Sequence, residues 1–415
     1  MEPIPRSADE ELEEPDPFAQ RRRRRMLAAA LAAALVVTAG IGWATDGFTR
    51  APAGLLRALE PPCPPVVSLN GTGSTLAEPL MTVWDHAYSG GAASRNRGCI
   101  VVQVAYNASG AIDGLGLLGA QETDFVTTEQ PLTPALSAGL AGPTITLPIA
   151  LSGVAIAYHL PGVAAGLKLN GTLLAEIYLG TVTAWDSAGI QSLNPGVTLP
   201  SNLSITVIHH GPGSSTSFVF TQYLAAENDT WAADVGVGSS VAWPTGTTVA
   251  GDPGAAALLD VTPGAIAYLG FPTALAANVT CAQVENPAGF FVAPSPTSVF
   301  LAASAYGHPL PLGNESWQGV SLVDLPGNGS YPLTTFTYAI AYADLGTSYG
   351  GALPQNSADW LASFLYFMSV AGQTYGPSAG YGQLPASTLS ANEQIVELLK
   401  FYGTPVLYDV DYDGD

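Results

Sequence analysis

HHGPGSSTSFVFTQYL, residues 209–224, is the stretch on which the fold turns. Ile205, Thr206, Val207 and Ile208 lead into it and read as a buried strand, because β-branched residues dominate the run. Gly211, Pro212 and Gly213 turn the chain, and Ser214, Ser215, Thr216 and Ser217 follow. The apolar set Phe218, Phe220, Tyr223 and Leu224 then suits a helix. A strand, a Gly-rich turn and a hydroxyl-rich helix start together make an anion site: first-turn amides lack intrahelical partners, and the helix dipole favours negative charge there. One hydroxyl suffices to cap a helix, so four in succession exceed what capping requires.

The same unit recurs upstream. Residues 66–69 form a strand-like run ending in NGTGSTLAEP, with Ser74 and Thr75 at the start of a helix carried by Leu80, Val83, Trp84, Ala87 and Tyr88. Residues 100–106 give another strand, NASG follows at 107–110, and Ile112, Leu115 and Leu118 predict a helix capped by Ser109. TDFVTTEQPL, residues 123–132, ends a fourth strand at Thr127, Thr128 and Glu129. Strands alternating with helices at this spacing imply parallel sheet, whose ligands bind at the carboxyl ends of the strands. The apolar, β-prone run 145–159 reads as a crossover between two domains, and 334–342 as an apolar strand returning to the first. An Ala-rich helix is expected around 255–259, a strongly apolar one over 360–370, and a last one near 393–400. Trp84, Trp185, Trp243 and the aromatics at 364–367 are expected in the core rather than stacked on a ligand.

With 415 residues, 47% of them hydrophobic, the chain has material for two or three domains. The beginning is different: an acidic, Pro-containing segment precedes five arginines at 21–25 and an uncharged, mostly apolar run at 26–44. That pattern predicts a cytoplasmic segment 1–25 and a membrane anchor or signal sequence 26–44, with a linker at 45–62 and everything beyond translocated. Past residue 62 only Arg95, Arg97, Lys168 and Lys400 are basic, against 24 acidic residues. This excess argues against nucleic acid as a partner. So lightly charged a surface becomes nearly neutral in acid, which points to an acidic habitat. The tail, 406–415, reads as a solvated acidic end.

Eight of the thirteen asparagines open an Asn-x-Ser/Thr triplet: Asn70, Asn107, Asn170, Asn202, Asn228, Asn278, Asn314 and Asn328. An exported, N-glycosylated envelope protein is the expectation. Of the three cysteines, Cys63 and Cys99 each stand just before a strand-like run; if those strands are parallel neighbours a disulfide can join them, leaving Cys281 over. No Cys/His cluster has metal-site spacing, and nothing calls for a cofactor.

These residues carry a specific resemblance. NGTGSTLAEP, YNASGA, DFVTTEQPL, LSGVAIAYHLPG, LNGTLLAEIYLGTVTAWD, SITVIHHGPGSSTSFVFTQYL, VAWPTG and PGAIAYLGF occur in the order found in the phosphate-binding proteins of phosphate ABC transporters, over about residues 66–275. The resemblance implies an α/β, type II periplasmic-binding-protein fold: lobe 1 from 63–153 and 331–405, lobe 2 from 154–330, and a ligand cleft between. It also implies a site. Thr75 and the Leu76 amide match the first turn, while Ala108 stands where the family has a ligand Ser, with Ser109 beside it. Glu129 replaces an Asp. Ser214 and Thr216 match the central stretch, whereas Ser215 replaces a Gly, His210 the family's Arg and Pro212 its second Asp.

Each replacement has a chemical consequence. His210 offers at most two donors, and a charge only when protonated. Around pH 3–5, ordinary pKa values make His210 charged and Glu129 partly neutral, an arrangement suited to a monoanionic phosphate. The expected function is extracytoplasmic capture of inorganic phosphate or a related oxyanion, and its delivery to an ABC permease. The alternative is an envelope glycoprotein that keeps the fold with a weak or lost site. A nucleophile reading, with Ser214 attacking, His210 as base and Glu129 as orienter, lacks a G-x-S-x-G elbow.

Overall fold

A computed structural model describes residues 66–95 and 101–406. The expected anchor or signal run at 26–44, the linker, Cys63, Cys99 and the tail from residue 407 lie outside the described residues. Among the described residues no helix is long and apolar enough to cross a membrane.

The frame is one nine-stranded sheet. Its strands are β1 (Val67–Gly73), β2 (Val102–Asn107), β3 (Phe125–Thr128), β4 (Thr144–Tyr158), β6 (Thr206–His210), β7 (Thr247–Val249), β8 (Ala265–Gly270), β9 (Thr280–Cys281) and β12 (Thr334–Tyr342). The spatial order is β2-β1-β3-β12-β4-β8-β6-β7, with β9 also on β4. β5 (Lys168–Leu169), β10 (Gln283–Glu285) and β11 (Phe291–Val292) form a small separate sheet. Parallel pairs sit at both ends of the large sheet: β1 with β2 and β3, and β6 with β7 and β8. The parallel neighbours β1 and β2, in register at Val67 and Val102, meet the condition set for the Cys63–Cys99 pairing, although the cysteines themselves are not described.

The middle belongs to β4. Its fifteen residues are buried apart from Thr144, which explains the unbroken apolar run in the sequence. Thr144–Gly153 pairs antiparallel with β12, and Val154–Tyr158 with β8. One strand therefore serves two halves of the sheet, and its partner changes between Gly153 and Val154. β12 lies between β3 and β4, antiparallel to both.

Helices cover the sheet and bury their apolar sides. α1 (Glu78–Arg95) follows β1, α2 (Ala111–Gly119) follows β2, α3 (Ser215–Glu227) follows β6, and α4 (Gly251–Asp260) follows β7. α5 (Gln355–Ser369) is the strongly apolar helix and α6 (Ala386–Val396) the last one. From α1, Tyr88 meets Phe364 and Phe367 of α5 with ring centroids 5.0 and 5.3 Å apart, and Trp84 donates its indole N–H to the Gly372 carbonyl at 2.8 Å. Removing each such ring from water stabilises the fold by about 1.5–3 kcal/mol. Trp84 and Trp185 lie in the core as expected. Trp243 is half-buried at its edge, stacked on His209 with centroids 5.0 Å apart.

Three expected details differ. α6 starts seven residues before the expected 393–400, directly after Pro385, and ends before Lys400, which lies on a short strand, Lys400–Phe401. α4 begins at Gly251, four residues before the Ala-rich run, because Asp252, Pro253 and Gly254 occupy its first turn. Ser109 does not cap α2: Gly110 holds the cap position at φ 96° with no side-chain bond, and the Ser109 hydroxyl instead lies 2.7 Å from Thr72 Oγ1. A positive φ is open to glycine at little cost, and it turns the chain before a serine cap can form.

Candidate functional site

Four strands end at one place. The turns after β1, β2, β6 and β7 enclose a cavity of about 200 Å³ whose lining includes Thr75, Ser109, Ser214 and Ser215. No lysine or arginine lines it. β1 and β2 run parallel to each other, as do β6 and β7, while the two pairs run in opposite directions, so the carboxyl ends of one pair face those of the other and the four turns meet between them.

Thr75, Ser109, Ser214 and Ser215 line this cavity; Leu76, Glu129, His210 and Thr216 lie behind it, each with no more than 1% of its surface exposed. Ser214 is the N-cap of α3, accepting the Ser217 amide at 3.2 Å. The Leu76 amide donates to Ser74 Oγ at 3.1 Å. Glu129 does not face the cavity as the Asp it replaces was expected to. Its carboxylate accepts from Ser74 Oγ at 2.6 Å, from Ser215 Oγ, and from Thr337 Oγ1 at 3.0 Å. Burial pushes the Glu129 pKa up, and these hydroxyls pull it part of the way back. The extra methylene of Glu and the hydroxyl of Ser215, standing where the resemblance has Gly, turn a ligand-facing acid into an internal tie between the β1 turn, α3 and β12.

His210 departs furthest from expectation. Its ring lies wholly inside, 4.7 Å from the Tyr268 ring, and its Nδ1 is 2.9 Å from Ser214 Oγ. Nε2 faces Asp252 Oδ1 at 3.5 Å, both side chains fully buried. Burial, aided by neighbouring His209, pulls the His210 pKa down to about 3. The expectation of a charged His210 at pH 3–5 is corrected accordingly: burial penalises the imidazolium, His209 repels it, and Asp252, raised to about 7, is protonated there and offers no counter-charge.

Asp252 is the residue the sequence did not single out. Burial raises its pKa to about 7; the nearby Gly270 amide and Thr216 hydroxyl lower it only partly, and the fields of Glu129 and Glu78 add to the rise. Its signal was present in GDPG at 251–254, a strand-following helix start like the other three. The carboxylate that faces His210 comes from α4, not from position 212, where Pro stands in place of the family's second Asp. The nucleophile constellation of Ser214, His210 and Glu129 is not assembled, since Glu129 bonds to hydroxyls and Asp252 stands at the far side of the ring.

Comparison with known proteins bears on the fold and the family. The family model described as the PBP superfamily domain matches residues 60–370. The phosphate-binding protein PstS of Xylella fastidiosa strain Temecula1 is 31% identical, over 66% of this chain and 71% of that protein. Its namesake from Haemophilus influenzae is 30% identical over 78% and 90%, and PstS 2 of Mycobacterium tuberculosis 32% over 74% and 81%. Among solved structures, a high-affinity periplasmic phosphate-binding protein, PfluDING, bound with phosphate, superposes with a TM-score of 0.57 at 17% identity, covering 80% of this chain and 99% of that one. At that identity the likeness carries the fold alone, whereas the sequence relatives carry the family. The chain belongs to the PBP superfamily and, within it, to the family of the phosphate-binding proteins PstS.

Proposed function

We propose that the chain is an extracytoplasmic receptor for inorganic phosphate, or a closely related tetrahedral oxyanion, and hands its ligand to an ABC permease. The observation that carries this reading is the hydroxyl-lined cavity at four strand ends, in a chain whose relatives are named for phosphate. The segments 63–153 with 331–405, and 154–330, act as two lobes; the change of partner along β4 at Gly153 supports that division. Closure of such lobes excludes water and strengthens each hydrogen bond to the anion. With no lysine or arginine in the lining, neutral hydroxyls and helix-start amides carry the recognition.

The test is calorimetric titration of the chain, in detergent, with phosphate, arsenate and sulfate at pH 5.5 and pH 8.5. Saturable heat with phosphate and arsenate is expected, and weaker or no heat with sulfate. Silence from all three at both pH values sinks the receptor reading and leaves an envelope protein that keeps only the fold. The exported, anchored and glycosylated state belongs to the same proposal, supported by the basic-apolar sequence of 21–44 and by the surface position of the sequons.

A further inference from the structure

The fully buried Asp252–His210 pair has a chemistry that the receptor reading does not use. Among the described residues His210 Nε2 and both Asp252 carboxylate oxygens are buried without a hydrogen-bond partner of good geometry; the Gly270 amide and Thr216 hydroxyl stand close enough only to steady the carboxylate, and Nε2 and Oδ1 face one another at 3.5 Å, just beyond hydrogen-bond length. The other ring nitrogen is within hydrogen-bond distance of Ser214 Oγ, at 2.9 Å, and Ser214 lines the cavity. A carboxyl group, an imidazole and a hydroxyl thus stand in file from the interior to the ligand space. An imidazole passes information along such a file because its two nitrogens exchange roles: when one carries hydrogen the other is bare.

We propose that Asp252 and His210 are positioning residues that set the hydrogen-bond polarity of Ser214: a proton held by the pair puts hydrogen on His210 Nδ1 and frees the Ser214 hydroxyl to donate to an anion. The inference rests on the receptor reading for the identity of the anion. With the pair deprotonated, ionised Asp252 accepts from Nε2–H, so Nδ1 is bare and takes the hydrogen of Ser214. Because Ser214 Oγ already accepts the Ser217 amide, it then presents a lone pair to the cavity. When one proton enters, Asp252 O–H donates to Nε2, Nδ1–H donates to Oγ, and the Ser214 hydrogen turns outward. Only O–H and N–H bonds change, and solvent supplies the proton. If that proton resides on the ring instead, as an ion pair with Asp252, Nδ1 still carries hydrogen and Ser214 is still released.

The groups facing the pair are consistent with a single titration. Glu129 and Glu78 act on Asp252 through their negative fields and favour its protonated form. His209, whose Nδ1 lies 3.2 Å from the His210 carbonyl oxygen, opposes a second positive charge on His210. Tyr268 accepts the His210 amide at 2.9 Å, and both Tyr268 and nearby Tyr381 are pushed above their ordinary pKa, so they keep their protons. Asp252 itself, raised to about 7, titrates where phosphate changes from monoanion to dianion.

Two measurements test the relay. The first is nitrogen-15 NMR of the wild-type imidazoles without ligand, with His210 identified by comparison with His210→Gln. Nδ1 is expected to be hydrogen-bearing at pH 5.5 and bare at pH 8.5, and a protonation state of Nδ1 that stays the same overturns the proposal even if phosphate binds. The second compares phosphate affinity of wild type and Asp252→Asn at both pH values; the ligand's own titration cancels in the ratio. The amide introduced by Asp252→Asn carries no charge and can donate to Nε2, so the variant should match wild type at pH 5.5 and bind at least about tenfold tighter at pH 8.5. An equal ratio at both pH values overturns the proposal. Should neither protein bind phosphate, the receptor reading fails while the NMR result still decides the relay.

Discussion

At the residue scale, proton balance separates two kinds of buried acid. Unfolded, Asp and His titrate near about 3.9 and 6.5. Between those values the unfolded chain carries one proton on His210, and the folded chain carries one on Asp252, whose pKa is about 7 while that of His210 is about 3. The proton counts match, so the pair gives stability almost no pH slope in that window. Glu227 has no such compensation. Burial and the nearby Asp324 carboxylate raise it to about 7, and Glu227 keeps the proton of the hydrogen bond they share. The folded state therefore binds more protons than the unfolded one from about pH 4.3 upward. The stability from protonated Glu227 is complete below that pH and lost as pH rises through about 7. Thermal unfolding followed by circular dichroism should show Glu227→Gln gaining on wild type as pH increases from 5 to 8, with little difference at pH 4. A constant difference across that range contradicts the assignment. Such a carboxyl pair fits a chain with 33 acidic residues against 12 basic ones, where cations to pair with buried carboxylates are few.

At the scale of elements, the site depends on how closely two helix starts approach. Gly251 opens α4 at φ 58°, and a Cβ there would stand 2.8 Å from Thr75 Cγ2. Gly251→Ala therefore combines left-handed backbone strain with displacement of a cavity-lining hydroxyl, a loss of about 1–3 kcal/mol in stability. Phosphate affinity should fall with it. Gly90, exposed in α1, supplies the opposite sign, because a Cβ added there would meet nothing within 4 Å. Gly90→Ala should stabilise by about 0.5–1 kcal/mol and leave affinity alone. Urea unfolding and phosphate titration of both variants check this, and equal effects would mean that the Thr75 contact is unimportant. The elements themselves were legible, because strand and helix periodicities do not depend on partners. The cap of α2 was not, since a serine before a helix promises a cap only if the backbone leaves it in place, and Gly110 at φ 96° does not.

Across the whole molecule, surface asparagines are mostly sequons. Among the described residues seven asparagines are exposed, and all but Asn356 open an Asn-x-Ser/Thr triplet; Asn194, Asn286 and Asn392, outside sequons, are buried. Asn170 and Asn228 cap helices by accepting the Leu173 and Trp231 amides through Oδ1, which leaves the nitrogen free for a sugar. Site-resolved mass spectrometry of the protein from its own host should find glycan on Asn202, Asn278, Asn314 and Asn328, and a bare Asn107 beside the cavity turn. Eight unmodified peptides would refute glycosylation, and occupancy at Asn107 would argue against an open cleft. What the sequence by itself determined was the fold and the cavity rim: within each parallel pair the hydroxyl-bearing turns share the carboxyl end, whatever the other side chains do, and tertiary structure then set the two carboxyl ends face to face. Tertiary structure alone decided the charge state, because it depends on burial and on partners remote in the chain. Glu129 acquired Ser215 and Thr337, 86 and 208 residues away, and His210 acquired Asp252 from another strand end, where desolvation rather than residue type sets the proton.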